Sequence, residues 1–119
     1  MIKHKIITTG ILFLTTLLSQ VLPVTAHTGS ATYYSSYFVG RKMSNGKTYR
    51  PHKMTCAHMY LPLGSHLKIT NINNHKSVIV IVTDRGNFGY RNIDLSVGAF
   101  KRIAKLSCGR IKVKIDRIK

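Results

Sequence analysis

Acidic side chains are almost absent from this chain of 119 residues, which has no glutamate and only three aspartates, Asp84, Asp94 and Asp116. Against them stand 19 lysines and arginines, and the formal net charge is +16. Such an excess of positive charge favours anionic partners, but it does not choose between nucleic acid, anionic lipid and acidic cell-wall polymer. Because carboxylates are so few, each one is a candidate for a specific role.

Cysteine is also scarce, and patterns typical of metal sites are missing. Cys56 and Cys108 are the only two cysteines. They either form a disulfide that closes a loop of about 50 residues, as an exported protein permits, or remain two separate thiols. No H-x-x-x-H or C-x-x-C spacing brings ligands together around His52 and His58, so we predict neither a metal site nor a cofactor. His58 is instead suited to donate a hydrogen bond to a sugar or a carboxylate.

The longest hydrophobic run lies at the N-terminus. A basic MIKHK, an apolar IITTGILFLTTLLSQVL and the small residues VTA predict a secretory signal peptide over residues 1–26. Polar residues interrupt the run, and a cleavage site follows it, which argues against a retained membrane anchor. No cysteine lies near that site for lipidation. Residues 27–119 are therefore predicted to form one periplasmic or extracellular domain with no membrane span and, without two lysines of the leader, a net charge of +14.

Strand patterns dominate this domain. Three strands are predicted in ATYYSSYF, HLKITNI and SVIVIVT, with Asn73-Asn74-His75 as a hairpin turn between the last two. The continuous β-branched run of residues 78–82 predicts a strand buried on both faces. RIKVKIDRI alternates apolar and charged residues, which predicts a final strand with one exposed face.

One short amphipathic helix is predicted after Ser96, which has the side chain of an N-cap. Its apolar face contains Val97, Phe100 and Ile103, and it is predicted to end near Gly109. The helix and the strands together indicate a small, mainly β domain.

The three aspartates differ in their surroundings. Asp84 follows an apolar strand and precedes Arg85 and a glycine, so it either meets a substrate at the rim of the sheet or caps a turn and pairs with an arginine. Asp94 lies two residues before Ser96, so it either belongs to the functional site or is a structural acid that stabilises the start of the helix. Asp116 lies among lysines on the exposed face of the last strand and is predicted to be a solvated charge.

Taken in order, three segments resemble the RlpA-like proteins: GSATYYSSYFVGRKMSNGKTY, MTCAHMYLPLGSHLKITNINNHKSVIVIVTDRGNFGYRNIDLS and the helix that follows. The resemblance covers residues 29–117, and AHMYLPLG, VTDRG and IDLS are its most specific parts. It implies a six-stranded double-psi β-barrel with one or two short helices, related to expansins and barwin. It also implies work on the bacterial cell wall, since characterised members cleave peptidoglycan glycan strands as lytic transglycosylases and others only bind wall polymers.

The resemblance also suggests roles for individual residues. His58 in TCAH and Asp84 in TDRG match two catalytic positions of the family, but Arg50 follows Tyr49 where the family shows an aspartate. One carboxylate can suffice, because in this reaction the sugar's own 6-hydroxyl group is the attacking nucleophile. We therefore expect Asp84 to act as general acid and base and His58 to polarise or position the sugar. Substrate contacts are expected from a further set: Asp94, Arg85, Tyr49 and Arg50.

Two other functions remain open from the sequence. An expansin-like module would grip glycan through Tyr33, Tyr34, Tyr49 and basic side chains without cleaving it. A nucleic-acid binder or cationic toxin would rest on charge alone, because no helix-turn-helix, RNP-type strand or zinc finger accompanies the basic residues. The expected partners are peptidoglycan glycan strands and anionic cell-envelope polymers, with no specific nucleic acid, and the oligomeric state is left open.

Overall fold

The computed structural model describes residues 26–119. All but the last residue of the predicted signal peptide lies outside the described residues. Within the described part of the chain, no helix combines the length and apolar character needed to span a bilayer.

Six strands form a closed barrel in the order β1-β5-β2-β4-β3-β6. Two neighbouring pairs, β1 with β5 and β2 with β4, are parallel, and the other four pairs are antiparallel. One α-helix and two 3-10 turns accompany the strands, which confirms the predicted six-stranded, mainly β barrel. The bounds are β1 Ala26–Tyr33, β2 Thr55–His58, β3 His66–Asn71, β4 Ser77–Asp84, β5 Ile93–Leu95, α1 Val97–Ile103 and β6 Ile111–Arg117, with 3-10 turns at Ser36–Phe38 and Leu106–Cys108.

The barrel interior is filled by alternate residues of the strands, because successive side chains of a strand point to opposite faces. Phe100 and Ile103 of α1 belong to the same core cluster. The fully buried residues from the strands include Leu67, Ile69, Val80, Ile93, Leu95, Val113 and Ile115. In β6, the alternation predicted from RIKVKIDRI is confirmed, since its lysines are exposed and its apolar residues are buried.

The prediction that β4 is buried on both faces is wrong. Val78, Val80 and Val82 point inward, but Ile79 and Ile81 are 51% and 37% exposed. Apolar residues on the outer face of a strand are tolerated singly, and a continuous run does not reveal which of its members are covered. The first predicted strand also differs, because β1 ends at Tyr33 and the chain then forms a 3-10 turn.

The helix and the hairpin turn are close to their predicted forms. Ser96 caps α1 by accepting a hydrogen bond from the main-chain NH of Ala99, as predicted, but α1 ends at Ile103 rather than near Gly109. The predicted turn joins β3 and β4, and its left-handed residue is His75 rather than an asparagine.

The two cysteines are not bonded to each other. Cys56 is buried in the core and Cys108 is exposed, and both are free thiols. Burial raises the pKa of the Cys56 thiol well above its ordinary value, with a smaller contribution from the charge of Asp94. The core of this domain is therefore held without a disulfide between them.

Candidate active site

Asp84 and Asp94 lie in one row of side chains that runs across four neighbouring strands. Ala57 in β2 is the Cα partner of Asp84 in β4 and also of Asp94 in β5, and Asp94 is the partner of Thr32 in β1. Paired residues of neighbouring strands point to the same face, so these four side chains share the outer face of the barrel wall. The two aspartates are thus separated by two strand spacings, about 10 Å between Cα atoms, with only the methyl group of Ala57 between them.

A β-bulge brings Asp84 into this row. The pairing of β2 with β4 shifts between Cys56 and Ala57, so that Ala57 is opposite Asp84 instead of Thr83. A bulge adds one residue to a strand and redirects the side chain that follows it, and bulges of this kind are frequent beside active sites. Without the extra residue, Asp84 would not be opposite Ala57.

The long connection between β1 and β2 covers the outer face of β2 with a second apolar cluster. Tyr34, Met43, Tyr49 and Ala57 are its buried members, with Phe88 packed against them. The rings of Tyr34 and Tyr49 are stacked, with centroids 4.4 Å apart. This cluster of buried apolar side chains lies beside the row of the two acids and includes Ala57 from the row itself.

Asp84 is a carboxylate with hydrogen bonds to both of its oxygens. Oδ2 accepts from the Tyr34 hydroxyl at 2.7 Å, and Oδ1 accepts from the main-chain NH and the hydroxyl of Ser44, both at 2.8 Å, and from the main-chain NH of Arg85 at 2.9 Å. Burial acts to raise the pKa of Asp84, but these hydrogen bonds outweigh it and leave the pKa below its usual value. Asp84 is therefore an anion in a fixed position at neutral pH.

Asp94 has the opposite electrostatic character. Its burial raises the pKa of the carboxyl group, and the negative charge of Asp84 raises it further. A hydrogen bond from the Thr32 hydroxyl at 2.9 Å and the charge of Arg110 act against this shift without cancelling it. Of the two aspartates, Asp94 is the one whose surroundings favour the protonated form.

His58 lies on the other face of the wall. It pairs with Ile93 while Ala57 pairs with Asp94, so the alternation along β2 directs His58 to the inner face. Its Nδ1 atom accepts hydrogen bonds from the main-chain NH groups of Tyr60 and Leu61, both at 3.2 Å, which assigns the ring proton to Nε2. Burial is the main cause that lowers the pKa of His58 to about 4, so the ring is neutral at physiological pH.

The remaining predicted substrate residues lie in three different settings. Arg85 is exposed, but its Nη1 atom donates to the main-chain carbonyl groups of His58 and Leu61, at 3.2 and 2.6 Å, and ties the β2–β3 loop to the end of β4. Tyr49 is fully buried, so this placement does not fit the prediction that it contacts substrate. Its hydroxyl accepts a hydrogen bond from the first residue of α1. Arg50 is exposed and is not among the hydrogen-bond partners of Asp84.

Sequence reasoning missed the partners that set the state of the two acids. Ser44 bonds to Asp84 across 40 positions of the chain, and Thr32 bonds to Asp94 across 62 positions. No local pattern marks either residue, because the Thr32 contact depends on the register of β1 with β5 and the Ser44 contact depends on how the β1–β2 connection folds. Over residues 26–119, no cluster of three or more His, Cys, Asp or Glu side chains is arranged to hold a metal ion.

A family model described as "Lytic transglycolase" matches residues 26–115. An uncharacterized protein of Synechocystis sp. is 48% identical over 89 residues, which cover 75% of this chain and 96% of that protein. The endolytic peptidoglycan transglycosylase RlpA of Pseudomonas aeruginosa is 45% identical over 91 residues, which cover 76% of this chain and 27% of that enzyme. The chain therefore spans about a quarter of the length of this transglycosylase relative.

Solved structures of the same fold come from proteins with different activities. A Streptomyces papain inhibitor aligns with a TM-score of 0.68 at 21% identity, over 82% of this chain and 99% of the inhibitor. A mutant expansin of Clavibacter michiganensis in complex with cellohexaose aligns with a TM-score of 0.66 at 19% identity, over 79% of this chain and 50% of the expansin. At such low identity these similarities establish the double-psi β-barrel fold and no shared activity.

Proposed function

This chain belongs to the lytic transglycolase family, and on that premise we propose that it is an exported enzyme that cleaves the glycan strands of peptidoglycan and leaves a 1,6-anhydro sugar. The observation that carries the proposal is the pair of aspartates in one row, with pKa values shifted in opposite directions. Two carboxyl groups whose surroundings drive their pKa values apart are typical of sites that need one proton donor and one fixed anion.

In the proposed reaction Asp94 is the general acid. Its carboxyl proton goes to the glycosidic oxygen as the bond from that oxygen to C1 breaks. The 6-hydroxyl oxygen of the same sugar then bonds to C1, and its proton returns to Asp94. No water is consumed, and the enzyme ends in its starting protonation state.

Asp84 is proposed to act as the fixed anion beside this reaction. Its negative charge stabilises the positive charge that develops at C1, and it adds to the effect of burial in raising the pKa of Asp94. This assignment differs from the expectation that Asp84 is the proton donor, because four hydrogen bonds stabilise its ionised form. The exposed Arg50 lies where the family shows an aspartate, and the proposed division of roles needs no third carboxylate.

His58 and Arg85 are proposed as positioning residues. His58 fixes the turn after β2 through its Nδ1 atom, and Arg85 fixes the same loop through two carbonyl groups. The neutral ring on the inner face of β2 is poorly placed for proton transfer on the outer face, so its contribution to the reaction is through the shape of the loop.

Three matched aspartate variants test the proposal. Purified glycan strands are incubated with the wild type, Asp94→Asn, Asp84→Asn and the control Asp116→Asn, and anhydro products are quantified by mass spectrometry. Asp94→Asn is expected to lower kcat by about 10² to 10⁴, the usual contribution of a general acid, and Asp84→Asn is also expected to lower it. Asp116, which pairs with Lys114 on the outside of β6, is expected to tolerate the change.

Each result has a definite meaning. Full activity in Asp94→Asn would refute its role as proton donor. Absence of anhydro products from the wild type would refute the enzymatic proposal itself. Activity that falls as the pH rises through the pKa of Asp94 is the expected profile, because the donor must hold its proton.

Binding without cleavage is the second function to be separated by this assay. Of the three tyrosines predicted for the grip of such a module, Tyr34 and Tyr49 are buried, and the hydroxyl of the partly buried Tyr33 donates to the main-chain carbonyl of Leu106. Wild-type protein that sediments with insoluble peptidoglycan and yields no anhydro product would favour binding alone.

Export and location are part of the same proposal. Residues 1–26 are proposed to be a signal peptide, and the basic surface of the domain is proposed to hold it at anionic polymers of the cell envelope. N-terminal sequencing of the protein from the periplasm or medium is expected to start at His27. A chain that begins at residue 1 would contradict the cleavage.

A further inference from the structure

One end of the barrel breaks the apolar pattern of the interior. His27 in β1 is paired with the buried Ile115, and Arg117 in β6 is paired with the buried Leu67, so both occupy inward-facing positions. His58 occupies the corresponding end of β2. Ionisable residues in positions that normally close a barrel with apolar side chains point to a role other than packing.

A pocket of about 380 Å³ opens at this end of the barrel. Its lining includes His27, Arg91 and Arg117 together with the aromatic rings of Tyr60 and Tyr90, and it contains no acidic side chain. The two rings are 51% and 59% exposed. Exposed aromatic rings present flat apolar faces to a sugar, and arginines supply paired donors to a carboxylate.

Two buried nitrogen atoms near this pocket have no hydrogen-bond partner within the described part of the chain. They are the Nε2 atoms of His27 and His58, whose rings lie 6.2 Å apart in an edge-to-face arrangement. The ring of Tyr60 contacts His58 at 4.8 Å. A buried polar atom without a hydrogen-bond partner lowers the stability of the fold, so such atoms in a native protein are commonly binding sites for a ligand or an ordered water.

The pocket is connected through shared loops to the row of the two acids. Tyr90 and Arg91 belong to the segment that joins Asp84 to Asp94, and Leu61 in the pocket wall accepts a hydrogen bond from Arg85. A ligand held at this end of the barrel is thus anchored to the same loops as the proposed catalytic groups.

We propose that this pocket binds a carboxylate-bearing sugar of the glycan strand, with the carboxylate on Arg91 and His27 and the sugar ring against Tyr60 and Tyr90. The inference rests on the proposed function, because it names the part of the glycan that is recognised beside the point of cleavage. The aromatic and cationic groups together fit an acidic sugar better than a neutral sugar or a small inorganic anion.

The carboxylate has two chemical sources in peptidoglycan. One is the lactyl ether group of a muramic acid without a peptide, and the other is the peptide attached to that group. Both present the same ion to Arg91, so the probes must separate them.

The test is a binding titration followed by NMR in about 0.15 M salt, which screens long-range attraction between exposed charges. The matched probes are N-acetylmuramic acid and N-acetylglucosamine, which differ by the lactyl ether group that carries the carboxylate. The wild type is expected to bind the acidic sugar at least about tenfold more tightly, with shifts in the ring signals of His27. N-acetylmuramoyl dipeptide, whose carboxylates are in the peptide, will show the preferred source by its affinity relative to the free acid.

Two arginine variants control for net charge. Arg91→Gln is expected to lose the preference for the acidic sugar, whereas Arg102→Gln, exposed on α1, removes the same charge and is expected to keep it. Equal binding of the two sugars by the wild type, or equal loss in both variants, would overturn the inference. Because binding is measured without cleavage, this outcome is independent of whether the protein forms anhydro products.

Discussion

Replacement of Tyr34 by phenylalanine isolates one of the hydrogen bonds that keep Asp84 ionised. The Tyr34 hydroxyl donates to Asp84 Oδ2 at 2.7 Å, and the ring of Tyr34 stacks on Tyr49. Phenylalanine keeps the stacked ring and removes only the donor. The variant therefore tests the electrostatics of the site with little change in packing.

The expected cost is about 1.5 kcal/mol in the free energy of unfolding near pH 7. Hydrogen bonds to charged groups contribute about 1.5 to 3 kcal/mol, and the lower end applies because Asp84 keeps some contact with water. Its folded-state pKa is below the unfolded value, so the stabilisation is present above the unfolded pKa and is lost as the pH falls through the folded pKa. The difference between wild type and variant should therefore shrink near pH 3.

Urea unfolding at both pH values measures this difference, and a carbon-13 titration of the Asp84 carboxyl group should show a higher pKa in Tyr34→Phe. Tyr37→Phe is the matched control, because Tyr37 is exposed, and its change should stay below about 0.5 kcal/mol. A loss for Tyr34→Phe that is equal at the two pH values would refute the argument that this bond acts on the ionised carboxylate.

Two further changes test the helix start and the buried histidine. Ser96→Ala removes the cap of α1 and a hydrogen bond from the same hydroxyl to a main-chain carbonyl, so urea unfolding should show a loss of about 2 kcal/mol, while the exposed Ser107→Ala should show almost none. In the unfolded chain His58 takes up a proton below about pH 6.5, whereas in the folded chain it stays neutral down to about pH 4. The free energy of unfolding should therefore decrease as the pH is lowered from about 6.5 to about 4. In an acid titration, His58→Gln should make this decrease smaller, whereas the exposed His52→Gln should leave it unchanged. A decrease in His58→Gln that is as steep as in the wild type would contradict a buried, neutral His58.

The parts of the fold that the sequence predicted are those set by local chemistry. Ser96 caps a helix because its own hydroxyl reaches an NH group three residues ahead. The last strand is visible because apolar and charged residues alternate over the six positions from Ile111 to Asp116. In contrast, β2 and β5 have only four and three residues, and each is a strand because of its two neighbours rather than its own composition. No strand was predicted at either place.

The candidate site shows the same division. The scarcity of acids and the TDRG and IDLS segments were enough to single out Asp84 and Asp94. Their separate roles could not be predicted, because the ionisation of Asp84 depends on Tyr34 and Ser44, which are 50 and 40 positions away. The inner position of His58 likewise follows from its register with β5 and from no feature of TCAH itself.

The excess of positive charge makes the raised pKa of Asp94 more informative. In a chain with a net charge of +16, the general field stabilises ionised carboxylates, and a low pKa is the expected state for any aspartate. The pKa of Asp94 is raised instead, because its carboxyl group is partly buried. In addition Asp84, which is fixed by four hydrogen bonds, is the charge that acts on Asp94 most strongly. Arg85, next to Asp84 in the chain, directs its guanidinium group to carbonyl oxygens of the β2–β3 loop. In the proposed reaction the two acids act as a pair, because the fixed charge of Asp84 helps to raise the pKa of Asp94.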